Sequence, residues 1–290
     1  MTLSDRFHDM LCGHEDDPAV QGEVAELVFN AADSPERDGL LALIYHEGIG
    51  VPVNMDKCFD FAEKAAFDGG NGLGYFMLGY MCDNAETPDQ AEGGPRQKYD
   101  HYDAERFYEL SSKIDSKWRE FAILWLGDYY MDMAKGGDPE IAVEYYESIA
   151  ENNAEAAGKL SDYYWDLIMP EYIEDEEWTS KLFKWSRVAE SLNPEEYTYR
   201  MGWIYADGLG CEKSSQQAVE KFAKAYGYGD WRGAKSVATV FEELLEENPD
   251  IVGREDYEEK IRLWNERADA LREKELSEGL DELDNPIEED

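Results

Sequence analysis

A helix, a glycine turn and a second helix, repeated along the chain, constrain this sequence more than any other feature. The stretch from Leu41 to Gly70, LALIYHEGIGVPVNMDKCFDFAEKAAFDGG, carries the unit in its clearest form. Leu41, Ala42 and Tyr45 mark the first helix; Cys58, Phe61, Ala65 and Ala66 mark the second. Gly48-Ile49-Gly50 stops the first helix, because glycine takes the left-handed conformation that other residues resist. Pro52 lies just past the stop, and Asn54 or Asp56 is placed to cap the helix that follows.

Aligning on the first helix gives a ladder of six units. Its rungs are Leu41-Ala42 with Tyr45, Leu78-Gly79 with Cys82, Leu126-Gly127 with Tyr130, Leu160-Ser161 with Tyr164, Met201-Gly202 with Tyr205, and Val237-Ala238 with Phe241. The steps between rungs are 37, 48, 34, 41 and 36 residues. Such periods mean stacked helix pairs in place of one globular core. The small residue after each apolar one is expected to let two helix backbones approach closely. The second helices repeat too, as Cys58-Phe61-Ala65, Ala104-Phe107-Ser111, Ala142-Tyr145-Ile149, Leu182-Trp185-Ala189, Ala218-Phe222-Ala225 and Ile261-Trp264-Ala268. Val24, Leu27 and Ala31 give the same pattern once before the first full unit, which reads as a capping half-repeat.

The expected architecture is therefore an all-α, right-handed α-solenoid of about six stacked antiparallel helix pairs. Its parts are an N-terminal segment at 1–21, a half-repeat cap at 22–37, the repeat array at 38–273 and an acidic tail at 274–290. Two insertions interrupt the register. Asp83 to Asp100 and Met169 to Glu177 read as polar loops, the second a candidate contact for a basic partner.

At this point Leu41 to Gly70 resembles a Sel1-like repeat, a branch of the tetratricopeptide-like α-solenoids. The matching residues are Leu41, Ala42, Tyr45, Gly48, Gly50, Val51, Phe61, Ala65, Ala66 and Gly69. The stretch from Met201 to Tyr226 is similar next, through Gly202, Tyr205, Gly208, Gly210, Ala218, Phe222 and Ala225. The second, fourth and sixth units lack the Gly-x-Gly turn, and the third has Gly136-Gly137 in its place. The resemblance implies a scaffold that binds other proteins without chemistry of its own.

Charge narrows the partner. With 27 Lys and Arg against 67 Asp and Glu, the formal net charge is −40. Nucleic-acid binding needs clustered Lys and Arg, and an anionic membrane surface repels such a chain, so neither is expected. A basic protein or peptide fits better, although the same acid also serves solvation. The four cysteines form no CxxC pair, so reduced thiols and a cytoplasmic setting are the default expectation. No apolar run reaches the length of a signal peptide or a membrane span.

No catalytic constellation emerges, and neither an enzyme nor a cofactor is expected. His8, Cys12 and His14 match no standard zinc spacing. The Gly-x-Gly pairs follow helices where a dinucleotide fingerprint follows a strand, and no Walker lysine accompanies them. The functional expectation is an interaction scaffold, acting as adaptor, holder or inhibitor, whose acidic groove takes a basic or amphipathic segment. The alternative is an acid-rich mimic of nucleic acid that occupies a basic cleft.

The groove follows from helical geometry. If Leu41 and its equivalents point into the core, the position two later lies about 200° away and the position before it about 100° the other way. Those positions hold Leu43, Met77 with Tyr80, Trp125 with Asp128, Asp162, and Arg200 with Trp203. The candidate partner-binding residues are Tyr80, Trp125, Asp128, Asp162 and Trp203.

Overall fold

The computed structural model describes residues 1–84, 99, 101–133, 136–171 and 175–277. Among them every regular element is helical. Most of the Asp83 to Asp100 insertion, the centre of the Met169 to Glu177 insertion and the tail beyond residue 277 lie outside the described residues.

Two compact units divide the chain, Met1–Tyr145 and Tyr146–Asp290. The first holds α1 (Leu3–Leu11), α2 (Pro18–Phe29), α3 (Pro35–Glu47), α4 (Met55–Glu63), α5 (Gly72–Asp83), α6 (His101–Ser112) and α7 (Arg119–Met131). The boundary falls within α8 (Pro139–Glu147). The second unit continues with α9 (Ala154–Ile168), α10 (Glu176–Leu192), α11 (Pro194–Asp207), α12 (Ser215–Gly227), α13 (Trp231–Glu247) and α14 (Arg254–Ser277). Helices pack as antiparallel pairs, α3 on α4 and α5 on α6 in the first unit, α9 on α10, α11 on α12 and α13 on α14 in the second. Each pair then stacks on the next through α4 with α5, α6 with α7, α10 with α11 and α12 with α13.

The ladder residues form the core. Leu41, Leu78, Leu126, Leu160, Met201 and Val237 are all at most 1% exposed. Burying such a side chain contributes about 1.5–3 kcal/mol, so the repeated leucine position stabilises each pair in turn.

The Gly-x-Gly turn does two separate jobs. Gly48 and Gly208 are left-handed (φ 74° and 75°), and their amides donate to the carbonyls of Ile44 and Ile204, closing the first helices. Asn54 and Ser214 then donate through their amides to the carbonyls of Tyr45 and Tyr205, each at 2.8 Å, and their side chains cap the second helices. The second glycine also sits against a neighbouring helix. A Cβ on Gly50 would lie 2.6 Å from the Gln21 carbonyl oxygen, and one on Gly210 would lie 2.1 Å from that of Thr179. Gly-x-Gly therefore closes one helix and docks the turn against the start of the preceding second helix.

The small residue after each ladder leucine works differently from the sequence expectation. At Gly79 and Gly202 it makes room for an aromatic ring of the second helix, not for a backbone. A Cβ on Gly79 would lie 3.1 Å from the Tyr108 ring, and one on Gly202 would lie 2.4 Å from the Phe222 ring. In the α9–α10 pair the same position holds a hydroxyl pair, Ser161 to Ser186 at 2.6 Å. Close backbone approach occurs four residues before the ladder position. A Cβ on Gly74 would lie 2.6 Å from the Ala66 amide nitrogen, and one on Gly233 would lie 2.4 Å from the Phe222 carbonyl oxygen.

Candidate functional site

The groove expectation places five side chains on first helices, three in the first unit and two in the second. Tyr80 and Asp83 share α5, Trp125 and Asp128 share α7, and His46 ends α3. The apolar ladder buries one stripe of each helix, which leaves these residues on another face.

In the first unit the structure joins Tyr80 and Trp125 through residues the sequence reading did not select. Tyr80 is 36% exposed and meets the His46 ring edge-on at 5.1 Å. The Trp125 indole nitrogen donates to Asp83 Oδ2 at 2.9 Å, so a carboxylate of α5 fixes a ring of α7. That indole stacks on Tyr108 at 4.2 Å and on Tyr129 at 5.2 Å. The Tyr108 hydroxyl is pushed up from its ordinary pKa by burial first, then by the charge of Asp83 and by Tyr80. Trp125 is thus half-buried within a stack of rings, and Asp128 is exposed one turn further along α7. Beyond Tyr129 the aromatic surface continues to Tyr130, which stacks on Tyr145 at 5.8 Å. Glu105 accepts a hydrogen bond from the Tyr130 hydroxyl and raises its pKa, with burial adding to the shift. Rings and carboxylates alternate along three successive first helices.

In the second unit Asp162 sits on α9 and Trp203 on α11, and Arg200 of α11 reaches back to Asp162. The Arg200 guanidinium reaches Asp162 Oδ1 at 2.5 Å and the Ser161 hydroxyl at 3.3 Å, and lies 5.2 Å from the Trp165 ring centre. Here the chain supplies its own cation to an acid and an indole. Asp166, one turn beyond Asp162, has its carboxyl pKa raised by burial and by the Asp162 charge. A cleft of about 520 Å³ opens beside Asp162 at the starts of α9 and α11, with Glu155, Lys159 and Glu196 on its walls. Trp203 is half-buried, packing edge-on against Phe222 at 5.3 Å.

Not every groove position stands open. Met77, expected on the inner surface, is 2% exposed and belongs to the core of the first unit. Leu40 and Ser236, at the same register on α3 and α13, are buried as well. At that register the long side chains of Trp125, Lys159 and Arg200 remain partly exposed. His46, Asp83, Tyr108 and Trp165 carried no groove signal in the sequence, because their roles come from contacts between units of the repeat.

No group of His, Cys, Asp and Glu among the described residues is arranged to hold a metal ion. No helix among them is long and apolar enough to cross a membrane.

Comparison with known proteins agrees with this architecture. The Sel1 repeat model matches residues 40–66, 121–153 and 196–230. No curated protein matches the sequence. Among solved structures, a Sel1 repeat protein from Oxalobacter formigenes is similar at 17% identity with a TM-score of 0.55, over 90% of this chain and 99% of that one. The protein c5321, a protective antigen of uropathogenic Escherichia coli with an SLR fold, is similar at 19% identity with a TM-score of 0.59. That match covers 95% of this chain and 60% of the other, so this chain spans about three-fifths of its length. At these identities the likeness is one of fold.

Proposed function

We propose, for a chain that is a Sel1-repeat protein and hence a protein–protein interaction scaffold, that its first-helix face holds a basic or amphipathic segment of a protein partner. The observation that carries this is the run of rings and carboxylates on α3, α5 and α7: His46, Tyr80, Asp83, Trp125 and Asp128. Aromatic side chains supply most of the binding energy in many interfaces, and acids beside them favour an incoming cation. The Arg200–Asp162–Trp165 cluster in the second unit supports the reading, because there an arginine of the chain itself takes that place. Asp162 and Trp203 contribute in the same way on α9 and α11. A net charge of −40 adds long-range attraction for a basic segment.

Such a protein works as an adaptor, a holder or an inhibitor of its partner, with no catalytic step. The proposal includes a cytoplasmic setting, where the buried Cys58 and Cys82 remain thiols. Retention of a protein from the source cell on the immobilised chain tests it. The expected result is a partner retained at low salt and released as salt rises. Displacement of that partner by DNA or RNA would favour nucleic-acid mimicry instead, and retention of nothing above background would remove the proposal.

A further inference from the structure

The N-terminal segment carries a helix that belongs to no repeat. Thr2 caps α1 with a reciprocal box: its side chain accepts from the Asp5 amide at 3.0 Å, and Asp5 accepts from the Thr2 amide at 2.9 Å. Leu3, Phe7, Met10 and Leu11 recur at i, i+4, i+7 and i+8, so α1 is amphipathic. Its apolar stripe lies on the core of the first unit. Phe7 is 2% exposed, and Leu3, Met10 and Leu11 pack against the cluster that contains Val24, Val28 and Leu40.

Its polar contacts reach α3 and the segment just ahead of α7. The Ser4 amide donates to Glu36 Oε1 on α3 at 2.8 Å. Asp5 Oδ1 lies 3.2 Å from Lys117 Nζ, just ahead of α7. The His8 ring stands 6.0 Å from Trp118, the residue that precedes α7. Helical geometry says which face this is. At about 100° per residue from the ladder leucines, Glu36, Phe76 and Phe121 fall on the same side of their helices as Tyr80 and Asp128. The helix α1 thus lies toward the starts of the first helices, on the face whose far end carries Tyr80, Asp83 and Asp128. Past His8 the apolar surface runs on through half-buried Trp118, which meets Phe76 at 5.2 Å and Phe121 at 5.7 Å, and Phe121 is 55% exposed.

The fit of α1 is incomplete. His8 Nε2 is buried and finds no hydrogen-bond partner among the described residues. The pair of Asp5 with Lys117 is partly exposed, at 38% and 47%, and such pairs hold weakly. A short helix with one deep anchor and an unsatisfied nitrogen opens more readily than the helices beneath it.

We propose that α1 is an intramolecular occupant of the end of that first-helix face marked by Glu36, Lys117 and Trp118, and that an amphipathic helix of a protein partner, with the same i, i+4, i+7 apolar spacing, displaces it to bind there. This rests on the reading of that face as a partner surface. A tethered segment competes at a high effective concentration, so the end of the face under α1 is closed to weak ligands and opens to one that outbinds α1. Occupation by α1 reduces the apparent affinity of the partner by the fraction of time the face is free.

The test uses the full chain and a dye-labelled synthetic peptide of residues 1–13 of this sequence, followed by fluorescence anisotropy. Asp5→Lys puts a second positive charge against Lys117 at a partly exposed position and frees α1 without touching the core. Phe7→Ala removes the buried anchor. Both variants are expected to bind the peptide at least tenfold more tightly than the natural chain does. Asp5→Lys decides the matter if Phe7→Ala loses helical circular dichroism. A folded Asp5→Lys chain that binds the peptide no more tightly than the natural chain overturns the proposal. So do α1 amides that exchange as slowly as those of α5 in the natural chain. A face that accepts the peptide in Asp5→Lys but retains no cellular protein sinks the scaffold reading alone. A retained partner that binds the natural chain and Asp5→Lys equally sinks the occupant alone.

Discussion

Adding one methyl group at Gly202 tests the packing of a helix pair with little else disturbed. The new Cβ would lie 2.4 Å from both Cδ1 and Cε1 of Phe222 and 2.9 Å from its Cζ. Carbon atoms in contact prefer about 3.5–4.0 Å, so the ring must move by an ångström or so. It has little room to do so: Phe222 is 0% exposed, with Tyr199 at 5.5 Å and Trp203 at 5.3 Å. Overpacking of this kind costs about 1–3 kcal/mol, and a confined ring belongs at the upper end. Alanine returns about 1 kcal/mol through helix propensity, which leaves Gly202→Ala about 2 kcal/mol less stable. For a domain of this size that is a fall in melting temperature of about 4–8 °C, read by circular dichroism at 222 nm. Gly227→Ala is the control, because its Cβ would meet nothing within 4 Å, and its melting temperature should hold or rise. Phe222→Leu should abolish most of the Gly202→Ala penalty, a coupling of about 1–2 kcal/mol between touching residues. A Gly202→Ala protein that melts at or above the parent temperature refutes the reasoning, as does an equal loss in the Phe222→Leu background.

Three further outcomes follow from the same structure. Gly210→Ala should lower the urea midpoint more than Gly229→Ala does, because φ is positive at both (67° and 103°) but only Gly210 has a carbonyl, that of Thr179, 2.1 Å from a new Cβ; equal losses would mean the turn does not dock there. Burial, more than the nearby Lys117, holds the His8 pKa below its ordinary 6.5, while Asp5 and Asp9 pull it up. Because the folded value is the lower one, α1 docking is fully stable above pH 6.5 and weakens as pH falls toward the folded pKa. Amide exchange in α1 should speed up over that range beyond the intrinsic rate, and should lose this pH dependence in His8→Phe. Partner affinity should drop steeply between low and molar salt, since exposed charges are screened beyond about 8 Å at physiological ionic strength; a flat profile would indicate an apolar interface.

The helix pairs were legible because the repeat writes them locally. Gly48 and Gly50, Leu41 and its five equivalents, and the cap at Asn54 are all signals within one turn of chain. The roles of Gly79 and Asp83 were not, since each depends on a residue far along the chain: Tyr108 and Trp125. The same holds for Met77, whose burial comes from packing between pairs. The helix α1 had a readable sign in Thr2-x-x-Asp5, a capping box ahead of an apolar stripe, but at nine residues it is too short to announce itself by periodicity. Of the candidate groove residues, Tyr80 and Trp125 come together through Asp83, while in the other unit Arg200 joins Asp162 to Trp165 and Trp203 packs on Phe222 instead. Which partner approaches is written in the exposed rings and acids only as a chemical class.

Photo-crosslinking from the proposed face tests the central claim most directly. A benzophenone amino acid replaces Tyr80, on α5, and in a separate chain replaces Leu263, which is 39% exposed on α14. Each full-length chain is irradiated in extract of the source cell at low salt, and the adducts are sequenced by mass spectrometry. The account predicts one dominant protein adduct from position 80, joined through a basic or amphipathic segment, suppressed by molar salt and absent from position 263. No adduct from position 80, or the same adducts from both positions, would contradict it.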